Sequence, residues 1–131
     1  EDITLVKPLW VNFQKKHEFN PPHTHTGALS CVIYLKAPYD INVENGVNES
    51  NRHSNTPSAG KIQLSYGQAL PYNSNSVLHT PKEKKILMFP AWLEHQVFPF
   101  QSDVERVSVS CNFIGRNSIY WRDDLKYREG N

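Results

Sequence analysis

Thiols, net charge and long apolar runs are what this chain has least of, and each shortage closes off a class of answer. Its cysteines are Cys31 and Cys111 alone, too few for a disulfide scaffold or a thiolate zinc site. Each sits inside an apolar, strand-like run, so two buried free thiols are expected. Fourteen basic and thirteen acidic residues leave a formal charge of +1, and the two signs are mixed along the chain. That balance gives no electrostatic footprint for nucleic acid or for an anionic membrane surface. No apolar run approaches the ~20 residues of a membrane span and no basic-then-apolar leader is present, so the sequence reads as soluble and cytoplasmic. No helix of normal length and no internal repeat is visible. A length of 131 residues allows one domain with a real core and little beyond it, so residues 1–131 are expected to form a single domain.

What is present is a series of short runs of β-branched and aromatic residues separated by Pro, Gly and Asn, the pattern of an all-β sandwich or barrel. Strands are expected at Trp10 to Gln14, Leu29 to Lys36, Lys61 to Tyr66, Ser76 to His79, Lys85 to Phe89, Gln96 to Phe100 and Arg106 to Ile114. The nine prolines fall almost wholly between these runs, where a missing N–H costs the ladder nothing. Residues 38–60 are rich in Asn, Ser, Glu and Gly and lack sustained periodicity, which predicts a mobile flap, with His53 as a solvated loop residue. Residues 116–131 form a C-terminal tail.

The last expected strand carries Arg106, Ser108, Ser110 and Asn112 on one face and Val107, Val109, Cys111 and Phe113 on the other. If the polar face lines a ligand pocket, the apolar face needs a cover. The N-terminal strand, the tail from Tyr120 to Tyr127 or a second subunit could supply it, and a homodimer is the expectation.

The stretch that organises the chain is Pro22-His23-Thr24-His25. Histidines at i and i+2 share one face of a strand, so they can grip one metal ion. Further on, Phe89-Pro90-Ala91-Trp92-Leu93-Glu94-His95 offers a third imidazole, and Arg106 opens Arg106-Val107-Ser108-Val109-Ser110. An oxygen-binding iron centre needs three protein ligands on one side and open positions on the other, commonly two imidazoles and one carboxylate. Here the set is His23, His25 and His95. A co-substrate with two carboxylates, such as 2-oxoglutarate, chelates a metal at one end and needs a fixed cation at the other, a role suited to the planar fork of arginine. Arg106, with the Ser108 hydroxyl on its face, fits that description. Glu94 adjoins His95 and points to the opposite face of an extended chain. His17 and His79 read as ordinary surface or core histidines, and Trp92 and Trp121 as packing residues.

These two runs, His23 to Leu35 and Phe89 to Asn112, resemble the halves of the 2-oxoglutarate/Fe(II)-dependent oxygenase signature, in the branch similar to prolyl 4-hydroxylases. The likeness covers roughly residues 9 to 115 and is closest to short oxygenase sequences of phage and marine environments, with a similar Asn-Pro-Pro-His-Thr-His, Phe-Pro-Ala-x-Leu-x-His and Arg-x-Ser-x-Ser. It implies a double-stranded β-helix, or jelly roll, and an enzyme using Fe(II), 2-oxoglutarate and O₂ to hydroxylate an unactivated C–H bond, with succinate and CO₂ released. It also implies iron ligation by His23, His25 and His95, and 2-oxoglutarate binding by Arg106, Ser108 and Tyr34. Asn12 and Asn112 are weaker candidates for lining the pocket. The family pattern reads His-x-Asp or His-x-Glu where this chain has His25. Either His25 is a true third ligand, or the site has two histidines and an external one. A peptidyl side chain is the first expectation for the substrate, with a small metabolite or a base as others. Two further readings stay open. One is a cupin-like metal-binding protein not using 2-oxoglutarate, which shares the His-x-His start but places a glutamate where Thr26 to Ser30 has none. The other is a catalytically silent jelly-roll binding module.

Overall fold

A computed structural model describes residues 3–47 and 52–115. Its elements, in chain order, are β1 (Ile3–Lys15), β2 (Asn20–His23), β3 (Leu29–Lys36), α1 (Ile41–Val47), β4 (Ile62–Ser65), β5 (Ser76–His79), β6 (Ile86–Pro90), β7 (Glu94–Val97) and β8 (Glu105–Gly115). The strands form two four-stranded antiparallel sheets, ordered β1-β8-β3-β6 and β2-β7-β4-β5. This is the all-β double-stranded β-helix that the sequence pointed to. Between the sheets Ile62 and Leu64, two apart on β4, meet Phe89 of β6, with Val32, Leu87, Leu93 and Val97 packed around them. Among the described residues no helix is long and apolar enough to cross a membrane.

The strand boundaries differ from the sequence reading at β1, β2 and β7, and prolines lie at each. Pro8, Pro21, Pro22 and Pro90 lie within strands, where almost all prolines were expected between them. Each is on an edge strand, which has one side free of ladder partners and so tolerates a residue without an N–H. β1 continues past Pro8 to Ile3, its register shifting between Val6 and Trp10, and β2 holds Pro21-Pro22 inside its own shift between Asn20 and His23. β7 starts at Glu94, two residues earlier than expected, and stops at Val97 short of Pro99.

The segment 38–60 is not wholly irregular. Asp40 caps α1, its Oδ1 accepting from the Asn42 amide at 2.8 Å. Glu44 is completely buried, and its carboxylate accepts from the amides of Gln101 (2.6 Å) and Ser102 (3.0 Å) and from the Ser102 hydroxyl. Tyr39 stacks on Phe100 at 4.7 Å and donates to the Gly60 carbonyl at 2.7 Å. Gly60 has φ +70°, and a Cβ there would lie 2.8 Å from the Tyr39 ring, so only glycine allows this closure. The helix is thus clipped to the β7–β8 connection and shuts one end of the sandwich.

The face of the β1-β8-β3-β6 sheet that points away from the core is apolar, as the β8 alternation predicted. Val11, Val109, Ile33 and Ile86 make one row across all four strands, and Cys111, Cys31 and Met88 lie in the next. The two cysteines are buried, free and directly opposed. Burial pushes the Cys31 thiol up to about 11, with Cys111 adding to the shift, so it stays protonated and unreactive. The tail from Tyr120 to Tyr127, one expected cover, lies outside the described residues.

Removing the Glu44 carboxylate strands two amides away from water, each hydrogen bond to a charged group being worth about 1.5–3 kcal/mol. Glu44→Ala is expected to lose about 3 kcal/mol of stability, read as a lowered midpoint in urea. A midpoint equal to that of the parent chain would count against the clip.

Candidate functional site

The pairing of β2 with β7 sets His23 directly opposite His95, and the two rings stand 4.1 Å apart between centroids. His25 arrives by a different route from the one its spacing implied. β2 ends at His23, so His23 and His25 do not share a strand face. Beyond it the chain leaves the ladder, the His25 amide donates to the Ala91 carbonyl at 2.9 Å, and Gly27 turns the backbone into β3. Gly27 has φ +108°, and a Cβ there would sit 2.9 Å from the Phe113 carbonyl oxygen. The His25 ring nevertheless comes to 5.1 Å from that of His23 and 4.9 Å from that of His95. One ligand atom from each of the three lies within 4.8 Å of the others.

Two of the rings have their tautomer set. His23 Nδ1 donates to the Pro21 carbonyl at 2.7 Å and His95 Nδ1 to the Leu93 carbonyl at 3.0 Å. A carbonyl only accepts, so each Nδ1 carries the proton and Nε2 is the atom left to face a metal, the tautomer a metal ligand requires. Burial pushes His95 down to about 4, the Leu93 carbonyl working against the shift and His23 and His25 adding to it. His25 is lowered as well, first by burial and then by His23. Burial thus favours the uncharged form of His25 and His95, and the three rings stand close enough together to hold one divalent metal.

Arg106 is 5% exposed and points to the interior. Its guanidinium donates to the Gln14 side-chain oxygen, to Tyr39 Oη at 3.3 Å and to the Gly60 carbonyl at 3.5 Å, and lies 5.9 Å from the Tyr34 ring centre. Among the described residues no carboxylate pairs with it; Asp103, a neighbour in sequence, pairs with Lys16 at 3.1 Å. Neutral acceptors compensate only part of the several kcal/mol that burying a charge costs. Burial pushes Tyr34 up to about 12 despite the nearby Arg106, so its phenol keeps its proton.

His23, His25, His95, Arg106, Ser108, Tyr34, Asn12 and Asn112 all line one cavity of about 580 Å³. Asn12 donates to Ser110 Oγ and Ser30 to Asn112 Oδ1, so polar pairs join neighbouring strands along one wall. Glu94 is exposed while His95 is buried, as alternation predicted. His53 is exposed, and neither it nor His79 belongs to the histidine cluster. His17 lies at the cavity rim, bonded to Gln101 at 2.8 Å. Trp92, expected as a packing residue, is 65% exposed, because it sits in the tight turn closed by the Leu93 amide on Pro90. Trp121 lies outside the described residues.

Sequence reasoning missed Trp10, Gln14 and Tyr39. The first two were within reach, since they flank Asn12 at i−2 and i+2 and so share its inward face. Tyr39 carried no such signal, because its place depends on the Gly60 closure.

The profile of a family described as "Putative 2OG-Fe(II) oxygenase" matches residues 8–112. The chain belongs to this family. The shared fold of the 2-oxoglutarate/Fe(II) oxygenases also appears in solved structures. One is an oxidoreductase of the 2OG-Fe(II) oxygenase family from Burkholderia pseudomallei, with TM-score 0.60 and 14% identity over 86% of this chain and 45% of that one. Another comes from work on prolyl 4-hydroxylases of Phytophthora capsici, with TM-score 0.53 and 17% identity over 92% of this chain and 39% of that one. The chain thus spans less than half the length of either, and at these identities the likeness concerns fold alone. No curated protein matches the sequence.

The buried imidazoles set a pH dependence for the metal-free protein. With His95 near 4 when folded and about 6.5 when unfolded, the unfolded chain takes up its proton first as pH falls. Stability is therefore full above pH 6.5 and declines between 6.5 and 4, by up to about 3 kcal/mol for this residue. Denaturation midpoints across that range should fall for the parent chain and fall less for His95→Gln; parallel curves would contradict the assignment.

Proposed function

We propose that the chain is an Fe(II)/2-oxoglutarate-dependent dioxygenase in which His23, His25 and His95 hold the metal and Arg106 receives the far carboxylate of 2-oxoglutarate. The observation that carries this reading is the buried guanidinium, without a counter-ion among the described residues, opening onto the cavity that also holds the three imidazoles. An incoming carboxylate relieves a charge already desolvated, through a two-pronged contact that lysine could not make. Fe(II) with 2-oxoglutarate supplies the oxidising power for hydroxylation of an unactivated C–H bond. The chain's residues hold and orient. Tyr34, still protonated, and Ser108 are hydroxyl donors beside Arg106 for the same carboxylate. Tyr39 and Gln14 fix the guanidinium plane. Ile62, Val32 and Phe89 form an apolar wall that keeps water from the reacting end.

The substrate reading is a peptidyl side chain. It is supported by the likeness to the Phytophthora capsici prolyl 4-hydroxylase fold and by a cavity within the ~300–1,000 Å³ usual for ligand sites. Fe(II), ascorbate and 2-oxoglutarate are expected to give slow succinate release even without substrate. Arg106→Gln should lower that rate at least tenfold, mainly through a raised KM for 2-oxoglutarate, while His79→Ala should leave it unchanged. Metal binding with no response to 2-oxoglutarate would favour a cupin-like role, and no stoichiometric metal a silent module.

The apolar sheet face we assign to a second copy of the chain. Strands of about eight residues at ~3.3 Å each, four of them ~4.8 Å apart, offer roughly 500 Å² per copy. Two such faces bury about 1,000 Å², the lower bound for a specific interface, and a uniformly apolar patch is complementary to itself about a two-fold axis. Light scattering at micromolar concentration should give twice the 15.1 kDa chain mass, and Ile86→Lys, at the exposed edge of the face, should halve it. A monomeric parent chain, with or without its tail, would end this assignment.

A further inference from the structure

His23 and His95 are each fixed by a carbonyl on Nδ1, the kind of partner that orients nearly every metal-binding histidine. His25 has none: among the described residues no hydrogen bond is made to its ring. It also stands beyond the end of β2, so neither a ladder nor a side-chain contact of the usual kind aims it. Among the aromatic rings, the one that lies against it besides the other two histidines is the indole of Trp10, with ring centres 5.6 Å apart and planes inclined by 52°.

Trp10 comes from the opposite sheet. It sits on β1 across from Ser110, at the point where the register resumes after the shift that contains Pro8, and it lines the cavity with His25. The contact therefore bridges the two sheets at the histidine cluster. An indole is wide and has only two side-chain torsions, so it presents a stiff wall to a ring that would otherwise rotate freely about its own.

We infer that Trp10 is the positioning residue for His25, doing by ring contact what the Pro21 and Leu93 carbonyls do for His23 and His95. The inference rests on the reading of the three imidazoles as a metal site. It accounts for how an imidazole serves at a position where the family pattern has a short carboxylate. An aspartate hangs on the same two side-chain torsions but offers either of two oxygens to a metal, whereas an imidazole offers one in-plane lone pair, so without a hydrogen bond its ring plane needs a brace. The brace must come from outside the segment that bears the ligand, because that segment has left the sheet.

The test is a titration of the metal-free full chain with Co(II), read as a dissociation constant and as the visible ligand-field spectrum, beside a urea denaturation of each metal-free variant. Trp10→Ala and Trp10→Leu are expected to weaken Co(II) binding about 10- to 100-fold and to shift the visible band, with Trp10→Phe restoring both to within a few-fold of the parent. In a His25→Asp background Trp10→Leu should weaken binding no further, since the carboxylate needs no ring wall. Equal losses with His25 and with Asp at that position would overturn the inference, as would Trp10→Leu binding Co(II) like the parent. Undiminished Co(II) binding by His25→Ala would instead remove the three-imidazole reading beneath it. Loss of stability without change in the dissociation constant would make Trp10 a packing residue only, and the inference would again fail.

Discussion

A positive charge taken out of water, with no carboxylate paired to it among the described residues, is the constraint around which this fold is arranged. Arg106 lies near the start of β8, a central strand, where alternation sends its side chain between the sheets. The three acceptors around it, Gln14, Tyr39 and the Gly60 carbonyl, come from an edge strand and from the α1 segment. Each fixes direction and none neutralises. Such a group is tolerated when the remaining cost is recovered on binding, and an anion is the ligand that recovers it. The segment from Tyr39 to Gly60 therefore does more than connect β3 to β4. Its end wall decides where the guanidinium can point, and Glu44 holds the wall to the Gln101-Ser102 backbone.

The two sheets divide the labour. The long-stranded one carries Arg106, Ser108, Tyr34, Asn12 and Trp10, all lining the cavity. The short-stranded one supplies His23 and His95 as a cross-strand pair. Cross-strand neighbours a few ångströms apart are the tightest spacing a sheet offers, so two of three imidazoles converge by pairing alone. The third has to be delivered by a loop, and Gly27 with the His25–Ala91 backbone bond delivers it.

Period-two reasoning made much of this legible. The inward face of β8, the outward direction of Glu94 and the apolar outer face all follow from alternation, which needs no tertiary information. Where alternation was applied to His23 and His25 it reached the right neighbours for the wrong reason, because two prolines on an edge strand and an early strand end are not visible in spacing. The short helix was hidden for a different cause. Seven residues give barely two turns of pattern, and the feature that stabilises it, a buried Glu44 bonded to backbone 57 and 58 positions away, is non-local. An acidic residue in a polar stretch reads as solvated until its partners are known. Trp92 errs the opposite way, a large apolar residue held outside by a turn whose geometry depends on Pro90 and Leu93.

The histidine that replaces a carboxylate changes the electrostatics of the whole cavity in a consistent direction. The three imidazoles carry no negative charge to set against the proposed divalent metal, and Arg106 adds a positive charge on the same cavity. The described lining offers one carboxylate against this, Glu18, which is exposed and accepts from the Lys15 amide at 2.8 Å. With both positive groups on one cavity, a ligand carrying two negative charges is drawn to both of its ends at once. The same imbalance disfavours a cationic group at the reacting position. For the proposed reaction a neutral or acidic substrate segment is therefore better suited than a basic one, a preference that follows from charge before any shape is considered.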